Sequence, residues 1–369
     1  MEGNILKILL ADPLYDENEF NSVIQVIKSG WLTQGKKVSE FEESFAKYIG
    51  VKHAIAVFNG TAALHTALAA LGVDSGDEVI VPSFSFIATA NSLLYQGAKP
   101  VFADIDPVTL NLDPADVEKK MSYKTRGIIP VHYGGLPADM DSFVSLARKH
   151  NLFVLEDAAE AVGSIYRGKK VGAIGTVGIF SFHAQKVITT GEGGMITTND
   201  DELAEKCRII RNHGRDIKTK KFVRLGYNYR MTEIQAAIGI EQVNKIEQVI
   251  DKRRRNAVYL TKNLKDIKDL FTPYEPDYSR HTYMLYTVKI DAEIKRGSLQ
   301  NFLRDRGIES KVYFNPLHLE PFYRTTGYSK CSLPRTEEMG KKVLSLPVHA
   351  KLSKNDLNHI IDSINLFFH

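Results

Sequence analysis

The stretch SFHAQKVITTGEGG, Ser181 to Gly194, sets one lysine, Lys186, among apolar neighbours just before a glycine-rich turn. There the side chain either snorkels its ammonium to the surface or, desolvated, attacks a carbonyl carbon to form a Schiff base. Asp157 closes the continuously apolar run LFVLED. Ligands of open α/β sheets bind outside the carboxyl ends of the strands, so this carboxylate either holds a buried cation or caps the next segment. Asn59, Gly60 and Thr61 open an Ala- and Leu-rich run. The free amides of such a helix start favour a phosphate, with a simple N-cap as the plainer alternative. Phe86, in PSFSFIATA, either offers an aromatic face to a planar ring or belongs to the core.

An amine, a carboxylate for a ring cation, a phosphate cup and an aromatic face together describe a pyridoxal phosphate site. Other cofactors fit less well, since there is no GxGxxG after the first strand, no GxxxxGKS/T and no HExxH. Cys207 and Cys331 are the only cysteines and have no ligand spacing, which argues against structural zinc and is read as a reducing, cytoplasmic setting.

These groups need a scaffold. HAIAVF is followed by GTAALHTALAALG, residues 60–72, a helix with a glycine stop, and then by EVIVP, a helical FIATANSLLYQG, and KPVFADI. A helix from Pro114 to Lys120, RGIIPV, a helix near Met140 to His150 and LFVLED complete the alternation. That rhythm predicts an α/β layer with a largely parallel sheet, because each parallel return needs a helical crossover. Between Gly168 and Thr198 only short β-rich pieces occur. Residues 231–265 read as one long helical region bridging two lobes, and the rest as a smaller α+β domain. The division expected is residues 1–245 for the large domain, N-terminal segment included, and 246–369 for the small one.

The chain has 369 residues, 43% hydrophobic and 25% charged, with a formal charge of +4. So small an excess does not indicate nucleic-acid binding, and the run from Lys252 to Arg255 is expected to form a solvated helix face. The start, MEGNILKILLADPLYDE, is not expected to be a signal peptide, and no apolar run is long enough to span a bilayer. Trp31, the only tryptophan, is expected to pack against the body.

The segments SGWLTQGKKVSEFEESFAKYIG, NGTAALHTALAALGVDSGDEVIVPSFSFIATAN, EDAAEAVGS, SFHAQKVITTGEGGMITTND and GYNYRMTEIQAAIG closely resemble the DegT/DnrJ/StrS family of sugar aminotransferases, over nearly the whole chain. The resemblance implies the type I fold of pyridoxal phosphate-dependent transferases and a homodimer with active sites shared between subunits. It makes Lys186 the Schiff-base lysine and pairs Asp157 with the pyridine nitrogen. Phe86 and Ala159 are implied on either face of the ring, and Thr61, Ala62 and Ser181 at the phosphate. Asn228 is implied to reach the neighbouring subunit's phosphate. Glu160 stands where many relatives have a glutamine beside the phenolic oxygen, a feature shared with the 4-ketosugar subgroup. His183, Tyr313 and His318 fall in segments that border the family's sugar pocket. The implied reaction aminates a nucleotide-linked keto-deoxysugar, a 4-keto-6-deoxyhexose by subgroup, with glutamate as donor and 2-oxoglutarate released. A transaminase for a cyclitol or aminobenzoate precursor, and a non-catalytic regulatory protein that senses a nucleotide sugar, are the competing readings.

Overall fold

The computed structural model describes residues 7–291 and 293–368. Its centre is a seven-stranded sheet in the order His53–Val57, Gly194–Thr198, Val177–Ser181, Phe153–Asp157, Thr125–Ile128, Glu78–Pro82, Lys99–Ala103. The strands from Val177–Ser181 to Lys99–Ala103 pair parallel throughout. Gly194–Thr198 is antiparallel to both its neighbours, so His53–Val57, on its far side, points the same way as the parallel group. The reversal has a simple cause: between Ser181 and Gly194 there is no helix to carry a crossover. The mixed, mostly parallel sheet expected from the sequence is therefore present. All strands but one end at the same edge, which brings Val57, Pro82, Asp157 and Ser181 together there.

Side chains alternate across this sheet, with Ile55, Val57 and Ile179 in one core and Ala54, Ala56 and Phe180 in the other. The first core is closed by the helices Gly60–Ala70, Ala88–Leu94 and Asp201–Arg211. The second is closed by Lys36–Ile49 and Glu233–Leu264, where Phe41 and Phe45 pack on Phe180 and Phe182. Burying each such aromatic stabilises the fold by about 1.5–3 kcal/mol.

The helix Gly60–Ala70 starts where Asn59 accepts the Ala62 amide and stops short of Gly72, whose φ of 76° ends the turn. The long helix Glu233–Leu264 starts at a capping box between Thr232 and Gln235. It packs on Glu17–Ser29, Lys36–Ile49 and Lys354–Phe368. A small antiparallel sheet of Leu270–Phe271, Tyr286–Ile290 and Val343–Leu346 carries the C-terminal core. Near the other end of the chain, Ile8 pairs with Ile308 and joins that core. The first six residues of MEGNILKILLADPLYDE lie outside the described residues.

Two expectations fail. The run Lys252 to Arg255 is not simply a solvated face, since Arg253 is buried and donates to the carbonyls of Tyr283 and Met284. It lies on the same stripe as Ile246, Ile250 and Ala257, and burial pushes its guanidinium down to about 10. Trp31 does not pack into the body: it is 62% exposed. Among the described residues no helix is long and apolar enough to cross a membrane.

Candidate active site

The shared strand edge opens into a cavity of about 350 Å³. Asp157, the last residue of its strand, is 3% exposed and lies on the cavity wall. Thr89 Oγ1 donates to its Oδ2 at 2.8 Å and the Ala159 amide to its Oδ1 at 3.2 Å. Burial pushes this carboxyl up from its ordinary value, against the two hydrogen bonds and the Lys186 charge. Both hydrogen-bond donors are neutral, so a ring cation in the cavity would supply the compensating charge.

Lys186 sits in the loop between Ser181 and Gly194, its side chain 16% exposed and its Nζ 3.5 Å from Glu160 Oε1. The ammonium therefore faces into the cavity, and surface snorkelling is excluded. Glu160 is itself buried, and its Oε2 accepts the Gly134 amide at 2.8 Å.

The start of the Gly60 helix forms another part of the cavity wall, where Asn59, Gly60 and Thr61 line it with Ser181. Helix start and strand end are in close approach there. A Cβ on Gly60 would lie 3.0 Å from Ser181 Cβ, and one on Gly194 would lie 2.3 Å from the Asn59 carbonyl oxygen. Glycine at both places leaves a cradle of backbone amides and the hydroxyls of Thr61 and Ser181, the donor set that an anion needs. A buried carboxylate, an amine and an amide cradle on the wall of one cavity fit pyridoxal phosphate.

Phe86 stands at the cavity rim, 60% exposed, and Ala159 lines the wall beside Asp157. His183 and Tyr313 also line the cavity. The His183 amide donates to Ser181 Oγ, and Tyr313 OH donates to Gln185 Oε1 at 3.4 Å. Burial, reinforced by the Glu160 charge, pushes the Tyr313 hydroxyl up to about 12, so it stays a donor.

Three expected residues are not on this wall. Ala62 is buried behind it because its amide is spent on Asn59 Oδ1 at 2.8 Å, so the N-cap and the anion site share one helix start. His318 is also behind the wall, and this corrects the expectation of a sugar contact. Its Nδ1 pairs with Ser83 Oγ at 2.7 Å and its Nε2 with Glu337 Oε1 at 3.2 Å. Asn228 is exposed on a segment that bridges Asn212 and is not among the residues that line its own chain's cavity. Conversely, Ser85, Thr89, Gln185, Glu192, Met284 and Phe314 line the cavity without having been singled out from the sequence. Gln185 and Glu192 flank Lys186 in its motif, but Thr89 becomes visible only when its helix is placed over Asp157.

Residues 13–365 match the DegT/DnrJ/EryC1/StrS aminotransferase family. A GDP-perosamine synthase from Caulobacter vibrioides is 44% identical over 368 residues, 98% of this chain and 99% of that one. PseC of Helicobacter pylori, an aminotransferase of pseudoaminic acid biosynthesis, superposes with a TM-score of 0.92 at 33% identity, covering 97% of this chain and 98% of that one. The PLP-form of Spr1654 from Streptococcus pneumoniae does so at 0.92 and 27%, covering 97% of each chain. The sheet, the cavity and the length of the match agree, and the chain belongs to the DegT/DnrJ/EryC1/StrS aminotransferase family.

Proposed function

We propose that this aminotransferase binds pyridoxal phosphate and converts a nucleotide-linked keto-deoxysugar, a 4-keto-6-deoxyhexose by its similarity to GDP-perosamine synthase, to the aminosugar, with glutamate as donor and 2-oxoglutarate as by-product. The observation that carries this reading is Lys186 facing a cavity whose wall also holds buried Asp157 and the Gly60 cradle. In the reading, Lys186 and Asp157 hold the cofactor's reactive and ring ends, and Gly60, Thr61 and Ser181 its phosphate. When bound, the cofactor supplies an electron sink for the carbanion formed at the amino-bearing carbon and carries the amino group between substrates.

The protein's own part is acid–base work and exclusion of water. Lys186 Nζ takes the proton from the donor's carbon and returns a proton to the sugar carbon in the second half-reaction. Glu160 Oε1, 3.5 Å away, keeps that amine on the cavity wall. Asp157 stays anionic opposite the ring cation, and Phe86 and Ala159 bound the ring's two sides. His183 and Tyr313 are offered to the sugar. Tyr313 and Phe314, from the small domain the sequence suggests, line the cavity beside Lys186 and help to exclude water from it.

The reading includes a cytoplasmic homodimer with shared sites. Supporting it are Asn228, exposed and absent from its own cavity's lining, and the exposed Phe20, Ile24 and Ile27 on the helix Glu17–Ser29. Inactive Lys186→Ala and Asn228→Ala chains, mixed and re-assembled, regain part of the activity only if one site draws on both copies.

The deciding experiment loads the purified protein with pyridoxal phosphate, labels it with borohydride, and locates the label at Lys186 by mass spectrometry. The loaded protein then receives glutamate and a panel of nucleotide-linked ketosugars and cyclitol ketones. Amination of a ketosugar and a loss on the order of a thousandfold or more in Lys186→Ala are expected. Amination of a cyclitol alone would reassign the substrate, and no 2-oxoglutarate with any acceptor would overturn the transaminase reading.

A further inference from the structure

We propose that Thr89, held in turn by Ser85, is a positioning residue that fixes the orientation and negative charge of Asp157 toward the ring cation of the cofactor. The inference rests on the pyridoxal phosphate reading above and concerns a residue that touches Asp157 directly.

The carboxylate of Asp157 has four lone-pair directions and two protein donors. One is a backbone amide, which no side-chain substitution removes. The other is the hydroxyl of Thr89, 2% exposed, in the first turn of the helix Ala88–Leu94. Its Oγ1 lies 2.8 Å from Asp157 Oδ2 and 3.0 Å from Ser85 Oγ, and Ser85 is equally buried.

Proton counting gives this chain a direction. A threonine hydroxyl has one hydrogen, and if Thr89 gives it to the carboxylate, the Ser85 hydroxyl must donate to Thr89. The sequence Ser85 to Thr89 to Asp157 is then a chain of aligned dipoles ending on an anion, in which each bond strengthens the next. A neutral Asp157 would offer Thr89 only a weaker acceptor, or reverse both bonds if the proton sat on Oδ2 facing Thr89. The arrangement therefore favours the anion at a place where burial favours the neutral acid. Two other charged groups face Asp157: Lys186, which favours the anion, and Glu160, which opposes it. Once the lysine's charge is engaged in chemistry, the hydroxyl chain and the Ala159 amide are the protein's own groups that remain, beside the ring cation, to hold Asp157 ionised.

An Asp157 that slipped to the neutral form would no longer keep the ring nitrogen protonated, and the electron sink would weaken. Thr89→Val keeps the shape of the side chain and removes the donor, while Thr89→Ser keeps the donor. Ser85→Ala cuts the chain one link further away and guards against a Thr89→Val protein that fails to fold.

The test uses the loaded enzyme carrying cofactor labelled with nitrogen-15 in the ring, followed by NMR across the neutral pH range. The wild type and Thr89→Ser are expected to show a protonated ring nitrogen throughout. Thr89→Val is expected to lose that signal at lower pH than the wild type, to bind cofactor about tenfold more weakly, and to fall in kcat with little change in the KM for glutamate. Ser85→Ala should move in the same direction by less. A wild-type nitrogen signal in Thr89→Val, or in Ser85→Ala should the valine variant not fold, overturns the role of Thr89. Failure of the parent reading looks different: the wild-type protein itself would then take up no pyridoxal phosphate and show no ring-nitrogen signal.

Discussion

Glu160 joins Lys186 to a backbone amide, with Oε1 3.5 Å from Lys186 Nζ and Oε2 accepting the Gly134 N–H at 2.8 Å. Glu160→Gln keeps an acceptor for Gly134 but turns an amide toward the lysine and removes the charge. Its stability should stay within about 1 kcal/mol of the wild type, while kcat drops about tenfold. Thermal unfolding and steady-state kinetics read the two effects separately, and an unchanged kcat would remove Glu160 from the handling of Lys186.

The bonds from His318 to Ser83 and Glu337 tie the segment before Phe84 to the helix Pro334–Lys342. Replacing His318 by Gln should therefore cost about 1–3 kcal/mol of folding stability, because buried partners lose their bonds. The KM for the sugar nucleotide should not move. A raised KM in a fully folded variant would restore His318 as a substrate contact.

Two buried histidines predict how stability follows pH. His281 accepts the Tyr283 amide at Nδ1, and burial first, then Arg254, pushes it down to about 3 from 6.5. His349 is pushed down to about 4, by burial and then by Arg253. Between 6.5 and those values the unfolded chain binds protons that the folded chain refuses, so stability is complete above 6.5 and lost as pH falls. Each histidine held neutral costs about 1.4 kcal/mol per pH unit in that window. Urea denaturation at a series of pH values measures the slope, and His281→Asn should flatten it. A flat profile between neutral pH and pH of about 5 would contradict the burial of both rings.

Gly194→Ala would drive a Cβ to 2.3 Å from the Asn59 carbonyl oxygen, so the backbone must move at the mouth of the amide cradle. A stability loss of about 1–3 kcal/mol and clearly weaker binding of pyridoxal phosphate are expected. Calorimetry and equilibrium dialysis check them. Wild-type affinity in a destabilised protein would place the phosphate elsewhere.

Much of this molecule is legible in the sequence because local patterns carry it. The Asn59 cap, the Ala/Leu helix after it, the apolar strand ending in Asp157 and the capping box at Thr232 are each decided within a few residues. The six-against-one direction of the central sheet was only half visible, as the lack of a helix between Ser181 and Gly194.

Other features are properties of distance, and sequence spacing says nothing of those. His318 in its motif looks as available as His183, yet one is locked between Ser83 and Glu337 and the other lines the cavity. Arg253 reads as one more charge in a basic run until the long helix turns it toward the carbonyls of Tyr283 and Met284. Thr89 and Asp157 are 68 residues apart and meet only because the parallel strands Glu78–Pro82 and Phe153–Asp157, with Thr125–Ile128 between them, end at the same edge of the sheet. By itself the sequence determined which groups are present and which local elements bear them. The tertiary structure alone decided which of them face the same cavity, because burial and hydrogen-bond partners are set by packing between distant segments.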